Sequence, residues 1–342
     1  MTHMEQVATR YRKLLEPDGA GGDVAYRRDD HIRQHAEDAH AFLPGTWFMA
    51  GHHHGGQSVQ KMWEAVGRMW PNGTRLFRNH FFVGEDTLAV EWWSRNRMWN
   101  GTECRNSGVG RMRFREGLVI DHHEITDSEY FEEVHGPWRD FLAPELGRHL
   151  PRWAASAPPW YPDPANNDWA HDHSPTDGRA QAPEAMRERL SRAIEWWQSP
   201  RDADNALFDD DVDVFFQGRL WPLGGRHRGR AGLERVREVA AALWPGPQQV
   251  VKANFWTDET RILIEWFRKA QTWKGQDFRE GGFTVWDWPG ERVEAVRTYV
   301  DTSMHAELLT GWRAHLGEAR GSALPNWPEA GTPRYPTSDA HE

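Results

Sequence analysis

The feature that most constrains this chain is a register of 174 residues, because a sequence that repeats itself builds the same structural unit twice. Sliding the sequence by 174 positions pairs residues 26–162 with 200–336 without a gap and gives 31 identities in 137 pairs. Composition alone would give roughly a quarter as many. The matches include Trp47/Trp221, His53/His227, Trp70–Pro71/Trp244–Pro245, Glu91–Trp92/Glu265–Trp266, Gly108/Gly282, Asp127/Asp301 and Trp138–Arg139/Trp312–Arg313. A duplication follows, and 342 residues suit two domains of ordinary size. The boundaries read as 1–165 for the first repeat, 166–182 for a linker and 183–342 for the second. The Pro-rich segments LPRWAASAPPWYP (150–162) and LPNWPEAGTPRYP (324–336) share L-P-x-W-x5-P-x-Y-P, so each is expected to dock on its own domain.

Composition narrows the function classes. Hydrophobic residues make up 38% and aromatics 12%, which is a globular composition. A net charge of −10 with Lys and Arg scattered along the chain argues against nucleic acid as a partner. The single cysteine, Cys104, excludes an internal disulfide and a Cys-based zinc site, and fits a reducing cytoplasm. No apolar run reaches the ~18 residues that span a bilayer, and MTHMEQVATRYRKLL lacks the apolar core of a signal peptide. A cytoplasmic protein with no membrane partner is the expectation.

Both repeats show the same order of elements. In the second, PEAMRERLSRAIEWWQ (183–198) reads as an amphipathic helix opened by Pro and closed by Ser-Pro. A polar turn leads into the strand VDVFF, then a Gly-rich loop and the helix GLERVREVAAALW. Strand-like runs follow at 248–257, 261–273, 277–288 and 291–300, with a short helix after Asp301. Helix, strand, helix and then a strongly curved antiparallel sheet predicts an α+β cone in each repeat.

Three stretches carry a family likeness: G-x-H-x-G (Gly51, His53, Gly55; Gly225, His227, Gly229), the strand pair VEWW…NG…SGVGRMRF, and the ending REGLVIDHHEITDSEYF. By these, each repeat resembles the NTF2-like superfamily of SnoaL-like polyketide cyclases, ketosteroid isomerase, scytalone dehydratase and limonene-epoxide hydrolase. The resemblance covers most of the chain. It implies two tandem cone-shaped barrels, each a curved antiparallel sheet wrapped around helices, arranged as a pseudo-dimer. It also implies a pocket inside the cone for a hydrophobic small molecule.

Side chains alternate along a strand, so Glu91, Trp93, Arg95 and Arg97 share one face, while Val90, Trp92, Ser94 and Asn96 share the other. By resemblance to the epoxide hydrolases, Glu91 falls where they carry a pocket arginine, Trp93 and Glu124 where they carry catalytic aspartates, and Trp47 where they position water. Their Asp-Arg-Asp set is therefore absent. What remains in the first repeat is an acid–base group, Glu91, His122 and Glu124, with Trp47, Trp93, Arg95, His80 and Asp127 as candidate substrate contacts. A carboxylate in an apolar cavity has a raised pKa, which suits proton transfer near neutral pH. The second repeat retains Glu265, Lys269 and Asp301, but Val296 and Thr298 replace the histidine and second acid. Chemistry is thus expected in the first repeat, and a structural or binding role in the second.

Each candidate also has a plainer reading. Glu91 and Glu265 could be held in ion pairs within the sheet. Asp127 and Asp301 precede short helices and read as N-caps. GHHHGG (51–56) reads as a loop, because consecutive loop residues rarely converge on one ion. His31, His35 and His40, and the His122–His123 pair, are equally weak as ligand sets. No metal and no cofactor are expected. The recurrent tryptophans read as shared core, with Trp92 and Trp266 packing sheet against sheet. Two function classes result: a cofactor-independent cyclase, isomerase or dehydratase acting by proton transfer on a hydrophobic cyclic molecule, or a non-catalytic binding or assembly protein. Epoxide hydrolysis is a weaker third. The oligomeric expectation is a monomeric pseudo-dimer or a homodimer of tandem chains.

Overall fold

The computed structural model describes residues 4–9, 35–71, 74–154, 184–198, 205–246 and 248–327. His31, the segment 166–182 and the remainders of the Pro-rich segments lie outside these. The chain divides into a first unit, Met1–Trp160, and a second, Tyr161–Glu342. No helix among the described residues is long and apolar enough to cross a membrane.

In the first unit, β1 (His35–Leu43) and β2 (Gly51–His54) precede helix α1 (Gly56–Met69). Four longer strands follow: β3 (Thr74–Val83), β4 (Thr87–Arg97), β5 (Glu103–Arg115) and β6 (Leu118–Thr126). Helix α2 (Ser128–His135) and two single turns, α3 (Trp138–Phe141) and α4 (Pro144–Gly147), close the unit. The second unit opens with α5 (Glu184–Gln198) and repeats the pattern as β7 (Phe208–Phe216), β8 (Gly225–Arg228) and α6 (Gly229–Leu243). Strands β9 (Gln249–Thr257), β10 (Arg261–Gln271), β11 (Asp277–Asp287) and β12 (Val293–Val300) come next, then α7 (Thr302–Leu308) and α8 (Trp312–Gly321). The sheet orders are β2-β1-β6-β5-β4-β3 and β8-β7-β12-β11-β10-β9. Within each, only the first long strand and the last (β1 with β6, β7 with β12) run parallel.

Alternation sorts the side chains of each strand onto two faces, and close packing across the strands marks the face that meets the helices. Trp92, Gly108 and Thr126 lie side by side across β4, β5 and β6, as do Trp266, Gly282 and Val300 in the second sheet. A Cβ at Gly108 would sit 2.6 Å from the Trp92 ring, and one at Gly282 would sit 2.2 Å from Trp266. Glycine there lets an indole lie flat on the inner face. The helices supply the opposite wall: α1 buries Val59, Met62, Trp63, Val66 and Met69, and α6 buries Leu233, Val236, Val239 and Leu243. These residues recur three and four apart, so each helix turns one apolar stripe to its sheet.

The described ends of the Pro-rich segments, 150–154 and 324–327, each pack on their own unit. Arg139 donates to the carbonyls of Arg152 and Trp153, and Arg313 to those of Asn326 and Trp327. The Trp153 ring fills the space over Gly147, and Trp327 that over Gly321. Asp127 and Asp301 are the expected N-caps, accepting from the amides of Tyr130 at 3.1 Å and Met304 at 3.2 Å.

Two expectations need correction. The gapless register fails before residue 46: β1 and β7 are offset by 173 residues at both ends, whereas β2 and β8 are offset by 174. The cause is one extra residue between Gly218 and Trp221 relative to Gly45 and Trp47. The second correction is that GHHHGG is not a loop. Gly51–His54 pair antiparallel with β1, Ala41 opposite His53 and His40 opposite His54.

Candidate functional site

The second unit has an open-mouthed cavity of about 220 Å³ between its sheet and helix α6. Aromatic rings dominate the walls: Trp221, Trp244, Trp266, Trp286 and Phe216. Among them stand few polar groups, the arrangement that orients a small ligand in an apolar site. Thr284 accepts from the Trp266 indole at 3.1 Å and lies 3.3 Å from the Thr298 hydroxyl. The charged or titratable groups of the lining are Arg237 from α6, Arg268 from β10 and His305 from α7, the last two joined by Glu280 of β11. Strand pairing sets Glu280 directly opposite Arg268, and the Asp301 cap starts the helix that carries His305.

Glu280 is 1% exposed and uses both oxygens: one takes the Arg268 guanidinium, the other His305 Nε2. Burial alone would raise this carboxyl. The Arg268 and His305 charges, with their hydrogen bonds, overcome it and hold it down to about 2. Arg268 also lies over the rings of Trp244 at 4.6 Å and Trp266 at 5.4 Å, a cation–π setting that places it against the wall. A carboxylate accepting from Nε2–H fixes the imidazole tautomer and leaves the lone pair of a neutral ring on Nδ1. His305 Nδ1 is buried and has no hydrogen-bond partner. The set therefore places an imidazole with an unpartnered Nδ1 and a fixed cation beside one aromatic cavity.

This topology, a short helix-flanked strand pair followed by a four-strand antiparallel run, appears in both units. The fold is similar to that of solved NTF2-like proteins, each of which covers about the length of one unit. An NTF2-like protein of unknown function from Burkholderia pseudomallei is 16% identical, covering 38% of this chain and all of its own, with a TM-score of 0.34. One from Burkholderia xenovorans is 22% identical, covering 36% of this chain and 95% of its own, with a TM-score of 0.29. TerC, co-crystallised with polyporic acid, is 15% identical over 37% of this chain and 98% of its own, with a TM-score of 0.33. No sequence-family model and no curated protein matches the chain.

In the first unit the structure separates the expected acid–base group. Glu91 pairs across β5 with Val109, whereas Glu124 pairs with the neighbouring Gly110. The two carboxylates thus project from opposite faces. His122 and Glu124, 3.1 Å apart, lie on the face that carries Trp92. Glu91, fully buried on the other face, meets His80 Nδ1 at 2.7 Å, and Trp93 packs edge-on to that imidazole. The inward assignment of Glu91 and the outward one of Trp92 are both reversed, because in the second unit Trp266 lines the cavity. Glu265 correspondingly takes a hydrogen bond from Asn254 at 2.7 Å, and Lys269 shares its face. The remaining candidates are placed as follows. Arg95 meets Glu103 at 3.4 Å. Trp47 donates to the Pro44 carbonyl at 3.1 Å and packs on Phe131. Asp127 and Asp301 cap helices. Burial pushes the Cys104 thiol up to about 12, which leaves it inert as a nucleophile.

Sequence reasoning missed Arg268, Glu280 and His305. Their counterparts in the first unit are Ser94, Asn106 and Phe131, so comparison between repeats hides them as unmatched positions. The usable signal was the Trp–Gly pairing: Trp266 facing a glycine marks the inner face, and Arg268 and Glu280 have the same parity.

Proposed function

We propose that the second unit is a cofactor-independent acid–base enzyme for a small hydrophobic molecule bearing a carbonyl on or beside a ring. The observation that carries this reading is Glu280 bridging Arg268 and His305 at an aromatic cavity, with His305 Nδ1 unpartnered. His305 Nδ1 takes a proton from the carbon next to the carbonyl. The C–H electron pair moves to the carbonyl oxygen, and Arg268 stabilises the enolate that forms. Returning the proton at another carbon gives isomerisation; alternatively the enolate pair re-forms the carbonyl and a C=C bond while the β-hydroxyl leaves as water with the proton that His305 took, which is dehydration. A volume of about 220 Å³ falls below the ~300–1,000 Å³ of pockets for drug-sized ligands, which favours a single ring.

The test is exchange of α-protons for deuterium in a panel of small cyclic ketones and enones, followed by NMR. Wild-type protein is expected to accelerate exchange for at least one member, His305→Gln to abolish it, and Glu91→Gln to retain it. Exchange equally fast with His305→Gln would refute the assignment of the base. Saturable binding without exchange would favour the non-catalytic binding reading.

A further inference from the structure

Strand β2 carries three consecutive histidines, and alternation sends them to two faces. His53 turns inward and its Nε2 bonds the Met49 carbonyl at 2.8 Å. His52 and His54 turn the other way, where His40 of β1 sits directly opposite His54. One nitrogen from each of His40, His52 and His54 lies within 4.8 Å of the others. His40 Nε2 and His52 Nδ1 are 3.1 Å apart. Two nitrogens bound at ~2.0–2.1 Å to a tetrahedral ion stand about 3.3 Å apart.

The surroundings complete a known type of site. His40 Nδ1 meets Asp121 Oδ1 at 3.1 Å, and Arg111 holds the other Asp121 oxygen. A carboxylate behind an imidazole fixes the tautomer that aims Nε2 at a metal and raises its basicity. His40 and Asp121 are buried, His52 is half-buried and His54 exposed, so the cluster opens to solvent on one side. The fold does not demand these residues. Allowing for the 173-residue offset of β1, the second unit has Asp213, Arg226 and Arg228 there, with Arg226 paired to Asp213 at 3.2 Å.

We infer that His40, His52 and His54 form a binding site for a divalent transition ion of the zinc class, with water completing the coordination. Three imidazoles and no ligating oxygen select zinc, copper or nickel over magnesium or calcium. Strand geometry brings the ligands together from two hydrogen-bonded strands; the three rings stack on one another at 4.9–6.0 Å, and closing the set takes rotation of the His52 and His54 rings about their side-chain bonds.

The experiment titrates Zn²⁺ into the full chain in competition with a chromophoric chelator, with Co²⁺ absorption as a report on coordination. One equivalent should bind with the visible spectrum of a four-coordinate nitrogen site. His54→Ala, at an exposed position, should lower affinity at least 100-fold with an unchanged melting curve. Asp121→Asn should lower it by ~10–100-fold if the variant folds. The chain has 18 histidines, so binding that persists unchanged in both His52→Ala and His54→Ala would overturn the site. Absence of a one-equivalent phase in the wild type would do the same.

Discussion

Replacing Glu280 by Gln keeps the side-chain shape and removes the negative charge on which Arg268 and His305 converge. The carboxyl is 1% exposed and moves from its ordinary 4.5 to about 2 on folding. At ~1.4 kcal/mol per tenfold, that corresponds to about 3 kcal/mol of stability at neutral pH. Truncating one member of a buried ion pair independently suggests ~3–5 kcal/mol, because Arg268 is left without its counter-ion. For a unit of this size the melting point should drop by roughly 6–12 °C. The sign with pH is fixed by linkage. A depressed carboxyl stabilises fully above 4.5, and its contribution disappears as the pH falls through about 2. Urea denaturation of wild type and Glu280→Gln at pH 7 and at several points below 4.5 tests both claims. The difference between the two proteins should be about 3 kcal/mol at pH 7 and shrink towards zero in acid. A difference under ~1 kcal/mol at pH 7, or one that stays constant into acid, would refute the bridging carboxylate.

Two further outcomes follow from packing and burial. Gly282→Ala places a methyl 2.2 Å from the Trp266 ring, so it should destabilise the second unit by ~1–3 kcal/mol and disturb ligand binding in the cavity, read by melting curves and tryptophan fluorescence. His135 is fully buried among Phe48, Trp70 and Phe131, and burial lowers its pKa to about 3. The first unit should therefore lose stability as the pH falls from 6.5 towards 3, and His135→Leu, the residue at the equivalent position 309, should flatten that dependence in pH-resolved denaturation.

The fold was legible because its signals are local or duplicated. The α5 and α6 helices are bounded by Pro and Ser-Pro or Pro-Gly-Pro, and the four long strands of the second unit fall within a few residues of their expected limits. The Asp127 and Asp301 caps were legible for the same reason, as a short polar side chain before a helix. Strand β2 was not, since four residues rich in glycine and histidine gain their order only by pairing with β1. The site was read less well. Alternation correctly sorted β4 into two faces, but parity does not say which face meets the helices. That depends on packing against α1 and α6, which no single strand encodes. Arg268, Glu280 and His305 come from three separate elements, and their convergence is a property of the closed sheet.

The single residue by which Gly218–Trp221 exceeds Gly45–Trp47 acts as a change of ruler between the two copies. An insertion within a strand would have turned every following side chain to the opposite face. Placed in the turn after the strand, it leaves β1 and β7 facing alike in space while numbering them one step apart. A sequence alignment without the gap would match His40 with inward Val214, and graft any substitution onto the wrong face. Exchanges between the copies therefore have to be numbered by 173 before the turn and by 174 after it, and a chimera joined inside β1 without that allowance would be built with its first strand inside out.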